Sequence, residues 1–326
     1  MPNGLHYKWT LAALKAGKHV LLEKPSVSNA QEAHSLFHHQ LLSAPNAPVL
    51  VEASHYRFHP AWHRFLAQFD KSLVERVDAR AGVPGGTFSG TDIRFDYKLA
   101  GGTAMDVGHY TLSSVRGVFG TEPVRVDSAT PRLIPQPFDQ RCDEAMAATY
   151  TFPNGGKGHI SADLGMRGGY WFPWLTSNWP SFQGMLSTLT VRLQAEELEA
   201  KDGFGRSSQK TIVFYNFMLP HIWHRIDVNT TISILDPQTR KILKQENTTD
   251  KLKAYTWPAG LGGENKGQDW WSTYRYQLEE FVNQIKGREG SGAWVAGEES
   301  IKQMEATDRT YEKAGMLIRP TSEALE

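Results

Sequence analysis

Apolar positions near the start of the chain follow two rhythms in turn. Leu5, Trp9, Ala12, Ala13 and Ala16 recur at intervals of three and four, which predicts a helix over 5–16, with Gly17 at the C-cap. Residues 19–22 form a short apolar run stopped by Glu23-Lys24-Pro25, and residues 48–51 form a second. Between them, Ser28-Asn29-Ala30-Gln31 resembles a capping box opening a helix that runs to about Ser43. Helix, strand, helix, strand in this order is the rhythm of a parallel α/β sheet.

The pattern changes after about residue 70. Residues 73–81 and 91–95 read as strands, and Gly101-Gly102 opens a helix over 103–118. From 123 to about 243 the chain is mostly strand. Its clearest hairpin is ATYTFPNGGKGHISADL, turning at Asn154-Gly155-Gly156. Helices over 269–286 and 297–314, each followed by glycine, close the chain. The expected fold is α/β followed by α+β: a short parallel portion, then a mostly antiparallel sheet with flanking helices.

Composition narrows the function. Lys+Arg and Asp+Glu balance at 35 each, which argues against nucleic acid or a membrane surface as a charge-driven partner. One cysteine, Cys142, excludes an internal disulfide and a cysteine-based zinc site. No apolar run is long enough to span a bilayer, and no basic-then-apolar leader opens the sequence. The glycosylation patterns at Asn229 and Asn247 therefore carry no weight, and a cytoplasmic protein is expected.

Three stretches carry a resemblance: PNGLHYKWTLAALKAGKHVLLEKP, LAGGTAMDVGHYTLSSVRGVFG and the hairpin above, supported by AGEESIKQMEATDRTYEKAGMLIRPTS. Together and in this order they resemble the Gfo/Idh/MocA oxidoreductases, in the branch of dihydrodiol dehydrogenases and NADP-dependent D-xylose dehydrogenases. The resemblance implies hydride transfer between NADP or NAD and a sugar, diol or related hydroxy/keto compound, with a base beside the nicotinamide. It implies Lys24 of Glu-Lys-Pro, Asp106 and Tyr110 as catalytic residues. Residues i and i+4 share a helix face, so Asp106 and Tyr110 are expected to enter one pocket, where a nearby ammonium lowers the tyrosine pKa. Asn3, His6, Glu23, Lys24 and Pro25 border the nicotinamide in this reading. It also implies a division into 1–70, a remnant of a Rossmann-like dinucleotide-binding domain, and 71–326, a substrate and oligomerisation domain. A small-molecule substrate and a homodimer through the C-terminal sheet complete it.

The family's cofactor domain should open with a strand, a Gly-x-Gly-x-x-Gly/Ala turn and a helix that cradle the pyrophosphate. The sequence begins after those parts, so an N-terminally truncated dehydrogenase is expected, with uncovered strand edges that favour association. Gly203-Phe204-Gly205 and Gly260-Leu261-Gly262-Gly263 read as loops rather than replacements. The absent fingerprint leaves open a chain that binds no cofactor. Two alternatives follow: a cofactor-independent acid–base enzyme such as a cyclase, isomerase or dehydratase in the same pocket, and a non-catalytic binding subunit.

Other candidates are weighed against simpler roles. His55, His59 and His63, and His34 with His38, have metal-ligand spacing, but Pro60 interrupts the first set and no carboxylate completes the second, so no metal is expected. His221 and His224 read as part of a strand. The stretch Glu52–Pro60 follows the second strand, where α/β folds place binding residues, and Arg57 is its candidate substrate or cofactor contact. His109 lies one step off the catalytic face. Asp163 follows the hairpin turn on a face the sequence does not define, and Trp171 belongs to an aromatic run that walls a pocket or an interface.

Overall fold

The computed structural model describes residues 1–201, 203–260 and 266–325. In the N-terminal part, α1 (His6–Lys15) leads through Gly17, at φ +67°, into β1 (Val20–Leu22). After α2 (Ala30–Phe37), β2 (Leu50–Glu52) pairs with β1 in parallel. Asn29, not Ser28, caps α2, accepting the Glu32 N–H at 3.0 Å. That helix ends at Phe37, short of Ser43, because His39 accepts the Leu41 N–H and starts a separate 3-10 turn. The short helix α3 (Pro60–Leu66) follows with proline at its first position.

The rest is built on a nine-stranded sheet. Its strands are β3 (Val74–Pro84), β4 (Arg125–Leu133), β5 (Asp143–Thr151), β6 (Lys157–Met166), β7 (Thr188–Leu193), β8 (Glu196–Lys201), β9 (Phe204–Tyr215), β10 (Arg225–Leu235) and β11 (Ile242–Leu252). The order is β11-β10-β9-β7-β3-β6-β5-β4, with β8 on β9. Only the β3–β6 pairing in this sheet is parallel. The β5–β6 hairpin turns at Asn154-Gly155-Gly156 as expected, with the Asn154 side chain accepting the Gly156 N–H at 2.9 Å. Gly203 turns the β8–β9 hairpin at φ +81°. The glycines at 262 and 263 lie outside the described residues.

Helix α4 (Val107–Phe119) crosses one face of the sheet and buries Val115, Val118 and Phe119 against Val77, Ile160 and Phe152. Gly158 allows that approach: a Cβ there would stand 2.5 Å from Val115 Cγ1. The opposite face keeps Arg76 and Asp78 in the open. A four-residue helix, α5 (Pro173–Thr176), interrupts the β6–β7 connection. Helices α6 (Thr273–Ile285) and α7 (Gly297–Lys313) close the fold, each followed by a glycine of positive φ, and α7 packs on α2 and β2. Among the described residues no helix is long and apolar enough to cross a membrane.

Three sequence expectations change. Residues 91–95 are a 3-10 turn, not a strand, because Asp92 captures the Arg94 N–H at 2.9 Å. Residues 221–224 are a turn in which Asn216 Nδ2 donates to Leu219 O and Trp223 O, while His224 is tied to Pro220 O and the Ala254 N–H. Helix α4 begins at Val107 rather than 103. The Asp143 carbonyl takes the Thr103 N–H at 3.0 Å and its carboxylate the Ala104 N–H at 2.8 Å, which diverts 103–106 into a tight turn.

That turn rests on a buried ion pair. Arg319 Nη2 lies 2.8 Å from Asp143 Oδ1, both side chains are fully buried, and the Tyr311 hydroxyl donates to the same oxygen at 3.0 Å. Removing one member strands the other charge. Asp143→Ala is expected to cost about 3–5 kcal/mol in urea unfolding, and the double replacement Asp143→Leu with Arg319→Met to cost less than Asp143→Ala alone.

Candidate active site

Lys24 follows β1, Asp106 ends the 101–106 turn, and Tyr110 occupies the first turn of α4. Lys24 Nζ stands 2.5 Å from Asp106 Oδ1 and 4.8 Å from the centre of the Tyr110 ring. Arg94 Nε lies 3.0 Å from the other carboxylate oxygen. Burial alone would raise the Asp106 pKa. Lys24 and then Arg94 outweigh burial and hold the carboxyl below its usual range. The expected trio therefore comes together, though not through a shared helix face, because Asp106 is an N-cap residue with φ −104° and ψ −97°.

The expected lowering of the Tyr110 pKa does not occur. Burial pushes it well above its ordinary value, and Tyr274 and Asp106 push it the same way. Lys24 faces the ring, and the hydroxyl is held by another residue: His55 Nε2 lies 2.9 Å from it. His55 stands in the 3-10 turn His55–Phe58 directly after β2. Its ring lies 4.2 Å, centroid to centroid, from Tyr274 of α6. Burial, with Lys24 and His221 adding to it, lowers the His55 pKa to about 3. Its Nδ1 is buried with no partner. Sequence reasoning weighed His55 only as a metal ligand. The available signal was its place after a parallel strand, which was credited to Arg57 instead.

Two cavities flank the start of α4. The smaller, of about 250 Å³, sets the polar side chains of Asn3, His6, Glu23, Lys24, Arg94 and Asp106 beside the apolar ones of Ile93 and Leu99. His6 Nδ1 lies 2.8 Å from Pro25 O, and Asn3 Nδ2 donates to Ala100 O at 3.2 Å; of the five residues expected to border a nicotinamide, Asn3, His6, Glu23 and Lys24 line this cavity and Pro25 does not. Burial lowers the His6 pKa, so a neutral ring donates to the nearer carbonyl. The larger cavity, of about 610 Å³, contains Val107, the residue after Asp106.

Four candidates lie elsewhere. Arg57 is ion-paired to Glu299 of α7 at 2.7 Å, on the far side of the 55–58 turn. His109 is buried between β2 and α7, with Nε2 3.0 Å from Ser54 Oγ, and lines neither cavity. Asp163 accepts two hydrogen bonds from Arg132, at 2.7 and 3.0 Å. Its neighbours Ala162 and Leu164 are buried under α4, so strand alternation turns it to the open face. Trp171 is 89% exposed and lines neither of these two cavities. The spaced histidines also diverge: His59 Nδ1 accepts the Ala61 N–H, His63 bonds Arg57 O, and His34 and His38 pair with Glu305 and Glu298.

Known proteins share this architecture. Residues 1–41 match the model of the oxidoreductase family with the NAD-binding Rossmann fold, and residues 74–185 match the GFO/IDH/MocA C-terminal domain. A D-xylose 1-dehydrogenase (NADP(+)) of Haloferax volcanii is 40% identical over 135 residues, 40% of this chain and 39% of that protein. A dTDP-3,4-didehydro-2,6-dideoxy-alpha-D-glucose 3-reductase of Streptomyces violaceoruber is 35% identical over 40% of this chain and 38% of its own. The alignments thus span about two fifths of these relatives' length. The aldose-aldose oxidoreductase of Caulobacter crescentus, crystallised with glycerol, shares the fold at TM-score 0.64 and 17% identity, over 96% of this chain and 75% of that one. A 3-ketoreductase of Actinomadura kijaniata, in complex with NADP and TDP-benzene, does so at 0.62 and 18%, over 94% and 74%. An N-terminal and a C-terminal domain model are thus matched in order on a chain of this fold, and over those residues the chain is similar to the Gfo/Idh/MocA oxidoreductases.

Proposed function

We propose that this chain is an NAD(P)-dependent oxidoreductase that interconverts a secondary alcohol and a ketone on a small molecule. In this reading residues 1–70 serve the nicotinamide side and residues 71–326 the substrate side. The observation that carries it is the Tyr110 hydroxyl, buried and bonded by His55, with the Lys24 ammonium 4.8 Å from the centre of the tyrosine ring.

The residues around the smaller cavity suit the nicotinamide end of such a cofactor. Asn3 offers an amide, Glu23 a carboxylate and Lys24 an ammonium, within a space sufficient for one ring. The pyrophosphate and adenosine have no glycine-rich cradle among the described residues. A nicotinamide held there would supply or take up the hydride at the carbon bearing oxygen.

The chain's own residues handle the proton. With its pKa raised, Tyr110 is a phenol at neutral pH and donates. His55 is neutral, and its tautomer follows from the orphaned Nδ1. A bare lone pair there is less costly than a buried N–H without an acceptor. Nε2 therefore carries the hydrogen and donates to the Tyr110 oxygen, which leaves the phenolic O–H free to point at a substrate carbonyl. When Tyr110 gives up its proton, the phenolate keeps the His55 hydrogen bond and lies near the Lys24 charge. Asp106 holds Lys24 in place. Alcohol oxidation runs the same steps in reverse.

Association of two copies through the open sheet face belongs to the same reading. Arg76, Asp78 and Arg192 stay in the open there, and the exposed Trp171, Trp174 and Trp179 belong to the segment whose Gly184 backbone lies against Arg80. Sedimentation velocity is expected to give a dimer.

Calorimetric titration of the full chain with NADPH and NADH tests the cofactor. Saturable binding is expected, and a folded chain that binds neither would turn the site to redox-neutral acid–base chemistry. Tyr110→Phe and Lys24→Met are each expected to lower kcat by about 10²–10⁴; Tyr110→Phe is expected to leave the urea midpoint near wild type, and Lys24→Met to lower it, because Asp106 loses its nearer cation.

His55 has a pH signature. In the folded chain it stays unprotonated down to about pH 3, whereas the unfolded chain binds a proton below about pH 6.5. Its contribution to stability is therefore present above pH 6.5 and lost as the pH falls toward 3. At pH 5 that loss is ~2 kcal/mol. His55→Gln lacks it, so the stability difference between wild type and variant is expected to move by this amount in the variant's favour between pH 7 and 5.

A further inference from the structure

A third cavity, of about 280 Å³, opens at the other end of α4, where the helix stops at Gly120. Arg57, Lys71 and Arg116 line it together with two carboxylates, Glu122 and Glu299. Three cations against two anions leave one positive charge in excess. The cations are unequally committed. Arg116 is buried, and its guanidinium is spent on Glu122 at 2.6 Å from both Nε and Nη2, on Gln303 Oε1 at 2.8 Å and on Glu299 O at 3.3 Å. Arg57 gives Glu299 one bond, from Nη2 at 2.7 Å, and its Nε and Nη1 meet no acceptor among the described residues. The Lys71 ammonium has no hydrogen-bond or ion-pair partner among the described residues.

A lysine at a helix C-terminus commonly serves the last carbonyls. Lys71 lies along Gly120, where a Cβ would stand 2.9 Å from its Cδ and 3.1 Å from its Nζ, yet it bonds none of them. Partial burial lowers its pKa, Arg57 lowers it further, and Glu299 offsets part of this. The two incompletely paired cations therefore repel each other across a partly desolvated space. An anion held between them would convert that repulsion into attraction on both sides.

This cavity shares no lining residue with the two at the start of α4. Its wall is nonetheless the back of the elements that hold Tyr110. Ser113 Oγ donates to Tyr110 O at 3.2 Å and lies 3.0 Å from the Tyr56 hydroxyl. Gln303, held by Arg116, donates to His109 O at 3.3 Å, and Arg57 belongs to the turn that carries His55.

We propose that this cavity binds a small phosphate-bearing anion between Arg57 and Lys71, and that this anion is not the compound turned over at Tyr110. A phosphate offers several acceptor oxygens, enough to meet a guanidinium edge and an ammonium at once. A carboxylate has fewer to divide between them. The site does not depend on hydride transfer.

The test is calorimetric titration of the full chain with inorganic phosphate, at an ionic strength held constant with potassium chloride, and with acetate for comparison. Lys71→Met removes the unpaired ammonium, and Thr121→Glu places a carboxylate in the cavity wall. Both are surface positions, and circular dichroism verifies folding. Lys71→Arg keeps the charge, and Lys24→Met removes the ammonium of the other polar cavity. The expected result is saturable submillimolar binding of phosphate, weakened about tenfold or more by Lys71→Met and by Thr121→Glu. Lys71→Arg and Lys24→Met are expected to bind as wild type does, and acetate to bind more weakly than phosphate. No saturable binding of phosphate, affinity unchanged by Lys71→Met or by Thr121→Glu, loss of binding in Lys24→Met, or acetate held as tightly as phosphate would each overturn the proposal. If nicotinamide fails to bind while phosphate behaves as expected, the oxidoreductase reading falls and the anion site stands.

Discussion

The arrangement of the candidate site depends on one buried ion pair that touches no candidate substrate. Arg319, near the end of the chain, reaches Asp143 at the first position of β5, and the two are sealed from water. Arg319 also donates to Gly101 O, while Asp143 accepts from the Thr103 and Ala104 N–H groups. Residues 101–104 are thereby fixed from both sides. Gly102 is required there for a local reason: at φ +130°, a Cβ would collide with Asp143 Oδ1 and Arg319 Nη2. The turn delivers Asp106 to Lys24, and α4 then starts in the register that brings Tyr110 to His55. A charge pair as deep as this contributes little net stability over an apolar substitute. What it contributes is position.

Electrostatics around the site follow from a sparse supply of charge. Lys24 and Arg94 share one carboxylate, Asp106, and the surrounding imidazoles are kept neutral by burial. A second positive charge at His55 would stand near Lys24 in a poorly solvated setting, which is why the imidazole is held unprotonated. The same poor solvation keeps Tyr110 protonated. In the proposed reaction Lys24 prepares a charge that is not yet present: its attraction acts fully only once the phenol has lost its proton. Stabilisation confined to the developing charge is what lowers a barrier rather than tightening ground-state binding.

Much of this was legible in the chain. The helical spacing of α1, the apolar runs of β1 and β2 and the Asn-Gly-Gly hairpin are local signals, and local chemistry decided them. Lys24, Asp106 and Tyr110 were singled out through motif order rather than visible geometry, and the structure brings the three together. What escaped depended on distant partners. The start of α4 moved four residues because of Asp143, and the face taken by Asp163 depended on which side of β6 the helix covers. Arg57 was drawn off by Glu299, more than two hundred residues away in sequence. His55 was weighed only within a spaced histidine set, and its bond to Tyr110 was out of view because that hydroxyl is on another element.

The start of α4 also explains why two unlike cavities lie side by side. A helix N-terminus faces outward with unpaired N–H groups and carries partial positive charge, so polar and charged residues gather around it. The side of the helix just beyond must bury an apolar stripe against the sheet. Asp106 and Val107 are adjacent residues across that boundary, one on each cavity. That adjacency keeps the ionic group of Lys24, Asp106 and Arg94 on one side of the helix start and the apolar wall of Val107, Phe182 and Met185 on the other.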